Sequence, residues 1–360
     1  MSRVFNFGAG PAVMPEEAIL EAQQQLFDYK GCGMSIMEMS HRGKEYDAVH
    51  TEALDNLRKL MGVPDDYAVL LLQGGASGQF AMIPMNLLRA GETADYVNSG
   101  AWASKAIKEA KIVGAVNVIA NTGKDIPTRL PSSADLKCTP GAAYVHITSN
   151  ETIAGTQWKT FPKTAAPLVA DMSSDILSRP FEMKDFGLVY AGAQKNLGPS
   201  GLAVVVVRRD LMERCPETVP TFLRYKTHAE ENSLYNTPPT FGIYMLMLTT
   251  RWLLKMGGVA GIARQNQAKA AKLYAAIDGS GGYYKGTAVT EFRSDMNVTW
   301  RLPDEAREEK FIKEASAKGM KGLKGHRSVG GIRASIYNAF PPAGIDALVA
   351  FMREFQAANG

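Results

Sequence analysis

Two charged side chains stand at the ends of apolar segments, where a charge is costly unless it has a partner or a chemical task. Lys195 lies between "FGLVYAG" and "LAVVVV", two runs that predict strands buried on both faces. A buried ammonium must be paired or deprotonated, and Asp171, which ends the run "PLVA", needs a cation or a donor in the same way. Taken singly, Lys195 is either a strand-end surface lysine or a reactive lysine, and Asp171 is either a turn aspartate or a site carboxylate.

The elements around these two residues predict a sheet that carries them on one edge. From about residue 67 the chain alternates strand-like runs with helical segments, a pattern typical of βαβ units and a mainly parallel sheet. Ligands of such open sheets bind beyond the carboxyl ends of the strands. The residues predicted near those ends are Gly74, Gly75, Ala76, Ser77, Trp102, Thr152, Asp171, Gln194 and Lys195.

The glycine turn in "QGGASGQF" suits an anion, although glycines in a turn often do nothing more than form the turn. Backbone N–H groups at the start of a helix, with the hydroxyl of Ser77 beside them, can bind a phosphate. The turn matches neither G-x-G-x-x-G nor G-x-x-x-x-G-K-[ST], so a dinucleotide or NTP site lacks its fingerprint.

The joint arrangement is more informative than any single residue. A phosphate cradle, a flat aromatic side chain, a carboxylate and a lysine on one edge are the groups that pyridoxal 5'-phosphate needs. Taken alone, Trp102 is equally explained as a core aromatic and Thr152 as a turn hydroxyl. The polar loop "NTPPTFG", Asn236 to Gly242, offers further phosphate ligands.

Two His-Arg pairs point to acidic substrates. His41-Arg42 and His326-Arg327 both lie next to glycines that predict tight turns. Arginine binds carboxylates and phosphates through two parallel hydrogen bonds, and an adjacent histidine adds a donor. The alternative is a chance pairing on solvated loops.

Composition narrows the class of protein. A chain of 360 residues fits two domains, and 46% hydrophobic residues allow a sizeable core. The net charge of +4, with charges interspersed, favours small anionic substrates and gives little reason for nucleic acid. Three widely spaced cysteines predict a reducing compartment and neither a disulfide framework nor a metal site. Neither a signal peptide nor a membrane-spanning segment is evident, so we expect a cytoplasmic protein.

Helical periodicity brackets the predicted sheet. Apolar residues repeat along one face from Lys44 to Met61, and a second amphipathic helix is predicted to follow Gly257-Gly258. The last third of the chain predicts a smaller α+β unit. We expect an N-terminal arm (1–15), a large domain (16–258) and a small C-terminal domain (259–360).

Nine motifs in order give the chain a close resemblance to the phosphoserine aminotransferase family. This is a class V, fold type I, pyridoxal-phosphate family, and the likeness runs essentially end to end. The motifs are "FNFGAGPAVMP", "MSHRGKEY", "QGGASGQF", "DYVNSGAW", "SNETIAGT", "VADMSSDILSRP", "YAGAQKNLGPSGL", "NTPPTFGIY" and "KGHRSVGGIRASIYNA".

The resemblance implies an α/β fold whose large domain has a mainly parallel sheet flanked by helices, with a smaller α+β C-terminal domain. It implies a homodimer that transfers the amino group of glutamate to 3-phosphohydroxypyruvate in serine biosynthesis. Phosphorylated hydroxyamino acids of pyridoxine biosynthesis are further substrates that would fit. The sequence itself leaves open another class V enzyme, a cysteine desulfurase among them, and a non-enzymatic nucleotide-binding Rossmann-type protein.

The resemblance also implies roles for individual residues. Lys195 would bond covalently to the cofactor, Asp171 would pair with its ring nitrogen, and Trp102 would stack on the ring. The remaining cofactor ligands would be Thr152 at the phenolic oxygen and, at the phosphate, Ala76, Ser77, Gln194 and, from the second subunit, Asn236 and Thr237. The acidic substrate would be held by Arg42, His326 and Arg327, with His41 assisting. Ala9 replaces a serine found in some relatives, which leaves only a backbone contact to substrate from that turn.

Overall fold

The computed structural model describes residues 3–123 and 127–360. The strands there, numbered in chain order, are β1 (Phe5–Asn6), β2 (Tyr67–Gln73), β3 (Thr93–Asn98), β4 (Ala115–Asn121), β5 (Val145–Thr148), β6 (Asn150–Glu151), β7 (Thr156–Gln157), β8 (Leu168–Asp171), β9 (Leu188–Gly192), β10 (Leu202–Arg208), β11 (Lys285–Gly286), β12 (Asn297–Arg301), β13 (Met320–Lys321) and β14 (Ile332–Ser335). The helices are α1 (Glu16–Gln25), α2 (Lys44–Met61), α3 (Gly75–Leu87), α4 (Ala101–Val113), α5 (Arg209–Met212), α6 (Tyr225–Glu230), α7 (Thr240–Lys255), α8 (Gly258–Asp278), α9 (Glu305–Ala317) and α10 (Pro342–Asn359). None of the helices in these ranges is long and apolar enough to cross a membrane.

The central sheet places most of the predicted cofactor residues along one edge. Its strand order is β2-β10-β9-β8-β5-β3-β4. β10 is antiparallel to both of its neighbours, and the other neighbouring pairs are parallel. All strands except β10 therefore point the same way, and their carboxyl ends share one edge. The prediction of a mainly parallel sheet is confirmed.

Helices bury both faces of this sheet. Along β10, Val204 and Val206 join a core cluster that contains side chains of α2 and α7. Val205 and Val207 join the opposite cluster, with side chains of α3 and α4. Burial on both faces explains why these strands are continuous apolar runs. The edge that carries the site is thus held by a well-packed scaffold.

A tight reversal connects β9 to β10 and carries Lys195. Gly198 N donates to Ala193 O at 2.9 Å, and Gly201 adopts a φ of 103°, which a residue with a Cβ rarely tolerates. The chain then pairs back on itself, with Ala203 opposite Gly192. The two strands predicted on either side of Lys195 are thus present as antiparallel neighbours.

The two helices predicted from apolar spacing are also present. The predicted helix from Lys44 to Met61 is α2 with the same bounds, and it ends at Gly62 with a φ of 58°. α8 begins directly after Gly257, whose φ is 84°. The glycine pair therefore does interrupt the helical run, as its sequence predicts.

A second, smaller sheet lies in the last third of the chain. Its order is β11-β12-β14, with all pairs antiparallel. β1 pairs in parallel with β13, so the N-terminal arm packs against this part of the chain. Phe7 is fully buried in the same core cluster as Trp300 and Phe311. The division into domains at residue 258 stays a prediction.

Candidate active site

Lys195 lies at the carboxyl edge, just after β9, with its side chain half-buried. Its Nζ donates to Thr152 Oγ1 at 2.6 Å and lies 5.4 Å from the centroid of the Trp102 ring. Burial lowers the pKa of Lys195 to about 8, although the nearby carboxylates of Asp171 and Glu151 favour the charged form. A substantial neutral fraction near neutral pH makes this amine a usable nucleophile and base.

Asp171 ends β8 and is 4% exposed. Its Oδ1 accepts two hydrogen bonds from Ser173, from the backbone N–H at 2.9 Å and from the hydroxyl at 2.6 Å. Burial raises the pKa of Asp171, against the Ser173 hydrogen bonds and the positive charge of Lys195. Both hydrogen bonds go to Oδ1. Oδ2 is therefore left to accept a hydrogen bond from the N–H of a protonated ring nitrogen.

Trp102 is the second residue of α4, is partly buried, and lines a cavity together with Asp171, Gln194 and Lys195. Lys195 Nζ and Lys105 Nζ lie 5.4 and 4.3 Å from its ring centroid. The indole Nε1 is buried without a hydrogen-bond partner among the described residues. The structure thus brings Trp102, Asp171, Thr152 and Lys195 together, as the sequence predicts.

An anion cradle adjoins this cavity at the start of α3. Gly74 and Gly75 adopt φ angles of 95° and 57°, and the first intrahelical bond runs from Gly78 N to Gly74 O. The amides of Ala76 and Ser77 precede that bond and point out of the helix end. The side chain of Gln194 lies beside these amides. The evidence is Gly192, where an added Cβ would lie 2.7 Å from Gln194 Oε1 and 3.2 Å from Ala76 N.

The loop with Asn236 and Thr237 packs beside the cradle of its own chain. Asn236 Nδ2 donates to Gln73 Oε1 at 3.2 Å, and Gln73 Nε2 donates to Thr237 O at 3.0 Å. Gln73 is the last residue of β2, immediately before the glycine turn. Thr237 is exposed. The side chains of the loop are thus presented at the surface near the cradle, and a role across a subunit interface stays a prediction.

The two His-Arg pairs differ in their relation to Lys195. His326 is half-buried, and its pKa is lowered by burial and then by the positive charges of Arg333, Arg327 and Lys105. That surrounding of cations suits an anionic group. Arg42 is exposed, and within the described residues of one chain no hydrogen bond joins His41 or Arg42 to Lys195 or Asp171. The substrate role of His41 and Arg42 stays a prediction.

Sequence reasoning missed Arg333, which lies on β14. Its guanidinium Nε is buried without a hydrogen-bond partner among the described residues, and its charge acts on Lys195 by lowering the lysine pKa. Arg333 is half-buried, and an unpartnered guanidinium nitrogen beside the reactive amine is suited to the carboxylate of a ligand. A lone arginine in the apolar run "GGIRASIY" is a signal in the sequence that could have found it.

The N-terminal arm closes one side of the site. Ala9 O accepts from Tyr337 Oη at 2.8 Å, and Ala12 N donates to Gln194 O at 2.9 Å. A Cβ at Gly10 would come within 3.5 Å of Lys195 Cγ. The backbone of the arm is therefore in place beside Lys195, and the carbonyl of Ala9 is already engaged.

Residues 4–348 match the family model of class-V aminotransferases. A phosphoserine aminotransferase of Herpetosiphon aurantiacus is 54% identical over 358 residues, which span 99% of this chain and 99% of the relative. The solved structure of the phosphoserine aminotransferase from Bacillus circulans subsp. alkalophilus is 55% identical, with a TM-score of 0.98 and 99% of both chains covered. The chain belongs to the phosphoserine aminotransferase family.

Membership in the phosphoserine aminotransferase family confirms the predicted fold class. A pyridoxal-phosphate-bound phosphoserine aminotransferase from Trichomonas vaginalis superposes with a TM-score of 0.94 at 38% identity, over 98% of this chain and 100% of that one. The alternative of a non-enzymatic nucleotide-binding protein is wrong. A desulfurase would require a reactive cysteine at the site, whereas Cys32, Cys138 and Cys215 are absent from the described residues that line the cavity at Lys195.

Proposed function

We propose that this chain is a pyridoxal-phosphate-dependent phosphoserine aminotransferase of serine biosynthesis, which transfers the amino group of glutamate to 3-phosphohydroxypyruvate. The names and full-length identity of its relatives support the reaction. The observation that carries the proposal is one cavity lined by Lys195, Trp102 and Asp171, in which Thr152 Oγ1 holds Lys195 Nζ by a hydrogen bond. Products of the exchange would be O-phosphoserine and 2-oxoglutarate.

The residues present fit the cofactor. The free Oδ2 of Asp171 suits a protonated pyridine nitrogen, and the amides of Ala76 and Ser77, with Gln194, suit its phosphate. When bound, pyridoxal phosphate supplies an aldehyde for Lys195 and a conjugated ring that accepts electrons from the substrate. Trp102 would cover one face of that ring and exclude water from it.

Lys195 would move the proton that the reaction requires. With a pKa near 8 its Nζ has an unprotonated fraction at neutral pH, which can accept the proton that leaves the α-carbon of the substrate. Thr152 Oγ1 holds that nitrogen at 2.6 Å. Asp171, as a buried carboxylate, would keep a proton on the ring nitrogen through charge attraction.

The substrates are anions, and the cavity is bordered by cations. Arg333 would bind a carboxylate beside Lys195, because its Nε is buried and unpartnered. The charges of Arg327 and Lys105 both lower the pKa of His326, so the three side chains lie close together. Together they suit a phosphate or a second carboxylate. We keep Arg42 and His41 as substrate residues that would reach the site of the other subunit in a dimer.

A homodimer is part of this proposal. Large apolar side chains stay exposed on and after α1, and Phe27 is 92% exposed. Burying such residues against a second copy would stabilise the pair. The loop with half-buried Asn236 and exposed Thr237 would then complete the cradle of the partner. Light scattering on the unchanged chain and on Phe27→Glu tests this, and an unchanged chain that stays monomeric at micromolar concentration would rule it out.

We also place the protein in the cytoplasm. The described residues hold Cys32, Cys138 and Cys215 as free thiols, which suits a reducing compartment. Cell fractionation with an antibody to the chain tests the location, and recovery in a secreted or membrane fraction would contradict it.

The reaction is tested by a transamination assay with glutamate and 3-phosphohydroxypyruvate, followed by other phosphorylated keto acids. The purified chain is expected to show the visible absorption of lysine-bound cofactor and to form O-phosphoserine. Lys195→Ala should lose both signals, whereas Lys184→Ala, on the surface beside Glu182, should keep both. An unchanged chain that binds pyridoxal phosphate but forms no phosphoserine would refute the substrate assignment alone.

A further inference from the structure

Glu151 is a fully buried carboxylate that the proposed reaction leaves without a task. It lies on β6, one residue before Thr152, and is 0% exposed. Its Oε1 accepts from Ser99 Oγ at 3.1 Å and from Ala103 N at 3.3 Å, and its Oε2 accepts from Trp102 N at 3.4 Å. A carboxylate is seldom buried without such compensation, so the arrangement calls for an explanation.

These contacts make Glu151 the N-terminal cap of α4. The first amides of a helix lack partners within it, and a serine, threonine, aspartate or asparagine at the N-cap usually accepts from them. Here the N-cap is Gly100, which has no side chain to do so. A Cβ at Gly100 would come within 2.6 Å of Glu151 Cδ, so the glycine makes room for a cap supplied by another strand.

The cap joins the two groups that flank Lys195. Trp102 donates its backbone N–H to Glu151, and its ring centroid lies 5.4 Å from Lys195 Nζ. Thr152, the next residue after Glu151, accepts from that same Nζ at 2.6 Å. Glu151 thus fixes the aromatic ring and the hydroxyl relative to one another, although they belong to elements far apart in the chain.

We propose that Glu151 is a positioning residue, whose carboxylate sets the depth and tilt of Trp102 over the cofactor ring beside Lys195. The inference rests on the proposed function. It acts through Trp102 and not on the substrate, because the hydrogen bonds of both carboxylate oxygens go to the start of α4 and to Ser99.

Electrostatics support a cap that operates at the pH of the reaction. Burial raises the pKa of Glu151 to about 7, while its hydrogen bonds from Ala103, Trp102 and Ser99 oppose that rise. The positive end of the helix dipole also favours the anion. Above about pH 7 the charged form is therefore the main one, in the range where Lys195 becomes neutral.

A double-mutant cycle with Trp102 tests the proposal. Glu151→Gln keeps the size of the side chain but replaces one acceptor oxygen by an NH2 group, which cannot accept from the backbone N–H opposite it. The affinity of the variant for pyridoxal phosphate should therefore fall about tenfold. The visible circular dichroism of the bound cofactor at saturation should fall as well, since it reports how the ring is seated. In a Trp102→Phe background, where the indole is already lost, the same change should weaken binding by less than about twofold.

Two further variants separate positioning from general stability. Gly100→Ala keeps Glu151 but displaces its carboxylate, and should reproduce the weaker affinity and altered dichroism. Glu109→Gln, on the same helix but remote from the cap, should leave both readouts unchanged. Thermal unfolding of the cofactor-free proteins is measured in parallel, because a purely structural cap would lower the melting temperature without altering the dichroism at saturation.

The outcomes are distinct. Equal losses from Glu151→Gln in both backgrounds, or unaltered affinity and dichroism in Glu151→Gln and Gly100→Ala, would overturn the positioning role. If the unchanged chain itself bound no pyridoxal phosphate, the proposed function would fail and the inference with it. Normal cofactor binding and activity in all the variants would leave the proposed function intact and remove only the inference.

Discussion

Lys195 Nζ donates a 2.6 Å hydrogen bond to Thr152 Oγ1, which joins the end of β9 to the turn after β6. The bond holds the amine in a half-buried place where its pKa is lowered to about 8. Its chemical consequence is that the amine is fixed in position and has a neutral fraction of about one tenth at pH 7, far above that of an ordinary lysine. Thr152 and Lys195 are 43 positions apart in the sequence, with β7, β8 and β9 between them. Only the folded sheet therefore brings them together.

The pH dependence of cofactor uptake follows from the lowered pKa of Lys195. Uptake requires the neutral amine, so the rate at which cofactor-free protein forms lysine-bound cofactor should rise about tenfold from about pH 7 to about pH 9 and then level off. An ordinary lysine would still be gaining neutral form above that range. Stopped-flow visible absorbance measures the rate, and a profile that continues to rise to about pH 10.5 would contradict the assignment.

Removing the charge of Arg333 should shift this pH profile, because that charge helps to lower the pKa of Lys195. Its positive charge lowers the pKa of Lys195, so Arg333→Gln should raise that pKa and move the midpoint of uptake to higher pH. Arg353→Gln, on the exposed side of α10, should leave the midpoint where it is. A midpoint that moves to lower pH in Arg333→Gln would show that the two groups do not interact as described.

The hydroxyl of Thr152 should contribute directly to cofactor affinity. Thr152→Val keeps the shape of the side chain but leaves the ammonium, or a bound phenolic oxygen, without its partner, at a cost of about 1 kcal/mol or about a fivefold weaker affinity. Thr152→Ser retains the hydroxyl and should stay within about twofold of the unchanged chain. Equilibrium titration of cofactor-free protein measures both, and equal affinities for Val and Ser would exclude a role for the hydroxyl.

Many of the site residues at the carboxyl edge of the sheet could be predicted from sequence, because each directly follows a local pattern that indicates a strand. Lys195 and Asp171 each follow an apolar run, and parallel strands put their carboxyl ends on one edge. The apolar runs on either side of Lys195 predicted the two strands that flank it. The strand order could not be read, since it depends on which long-range pairings form.

Residues whose task depends on remote contacts escaped the sequence. Glu151 has its role only because Gly100 leaves room for its carboxylate, which no local pattern reveals. Arg333 belongs to the site because β14 carries it next to Lys195, across the boundary of two sheets. Arg42 was predicted as a substrate residue from its pairing with His41 and from the resemblance, and in a single chain it stays exposed.

Substrate binding should depend strongly on Arg333. A guanidinium that pairs with a substrate carboxylate contributes about 1.5–3 kcal/mol, so Arg333→Gln should raise the KM for glutamate about 10- to 100-fold. The affinity for pyridoxal phosphate, measured on the high-pH plateau of the uptake profile, should change far less, because the arginine faces the substrate. Steady-state kinetics with each substrate varied in turn measure the effect. An unaltered KM for both substrates would remove Arg333 from the binding site.

A buried lysine outside the site should control the stability of the turn that follows β14. Lys269 on α8 is 3% exposed, and its Nζ donates to the carbonyls of Ile336, Tyr337 and Phe340 at 3.0, 2.6 and 3.2 Å. Lys269→Met removes three buried hydrogen bonds, although Tyr337 O still accepts from Phe340 N, and should lower the free energy of unfolding by about 2–4 kcal/mol. Lys272→Met on the same helix removes only an exposed pair with Asp346 and should cost less than about 0.5 kcal/mol. Urea denaturation distinguishes the two, and equal losses would show that the three carbonyls do not depend on Lys269.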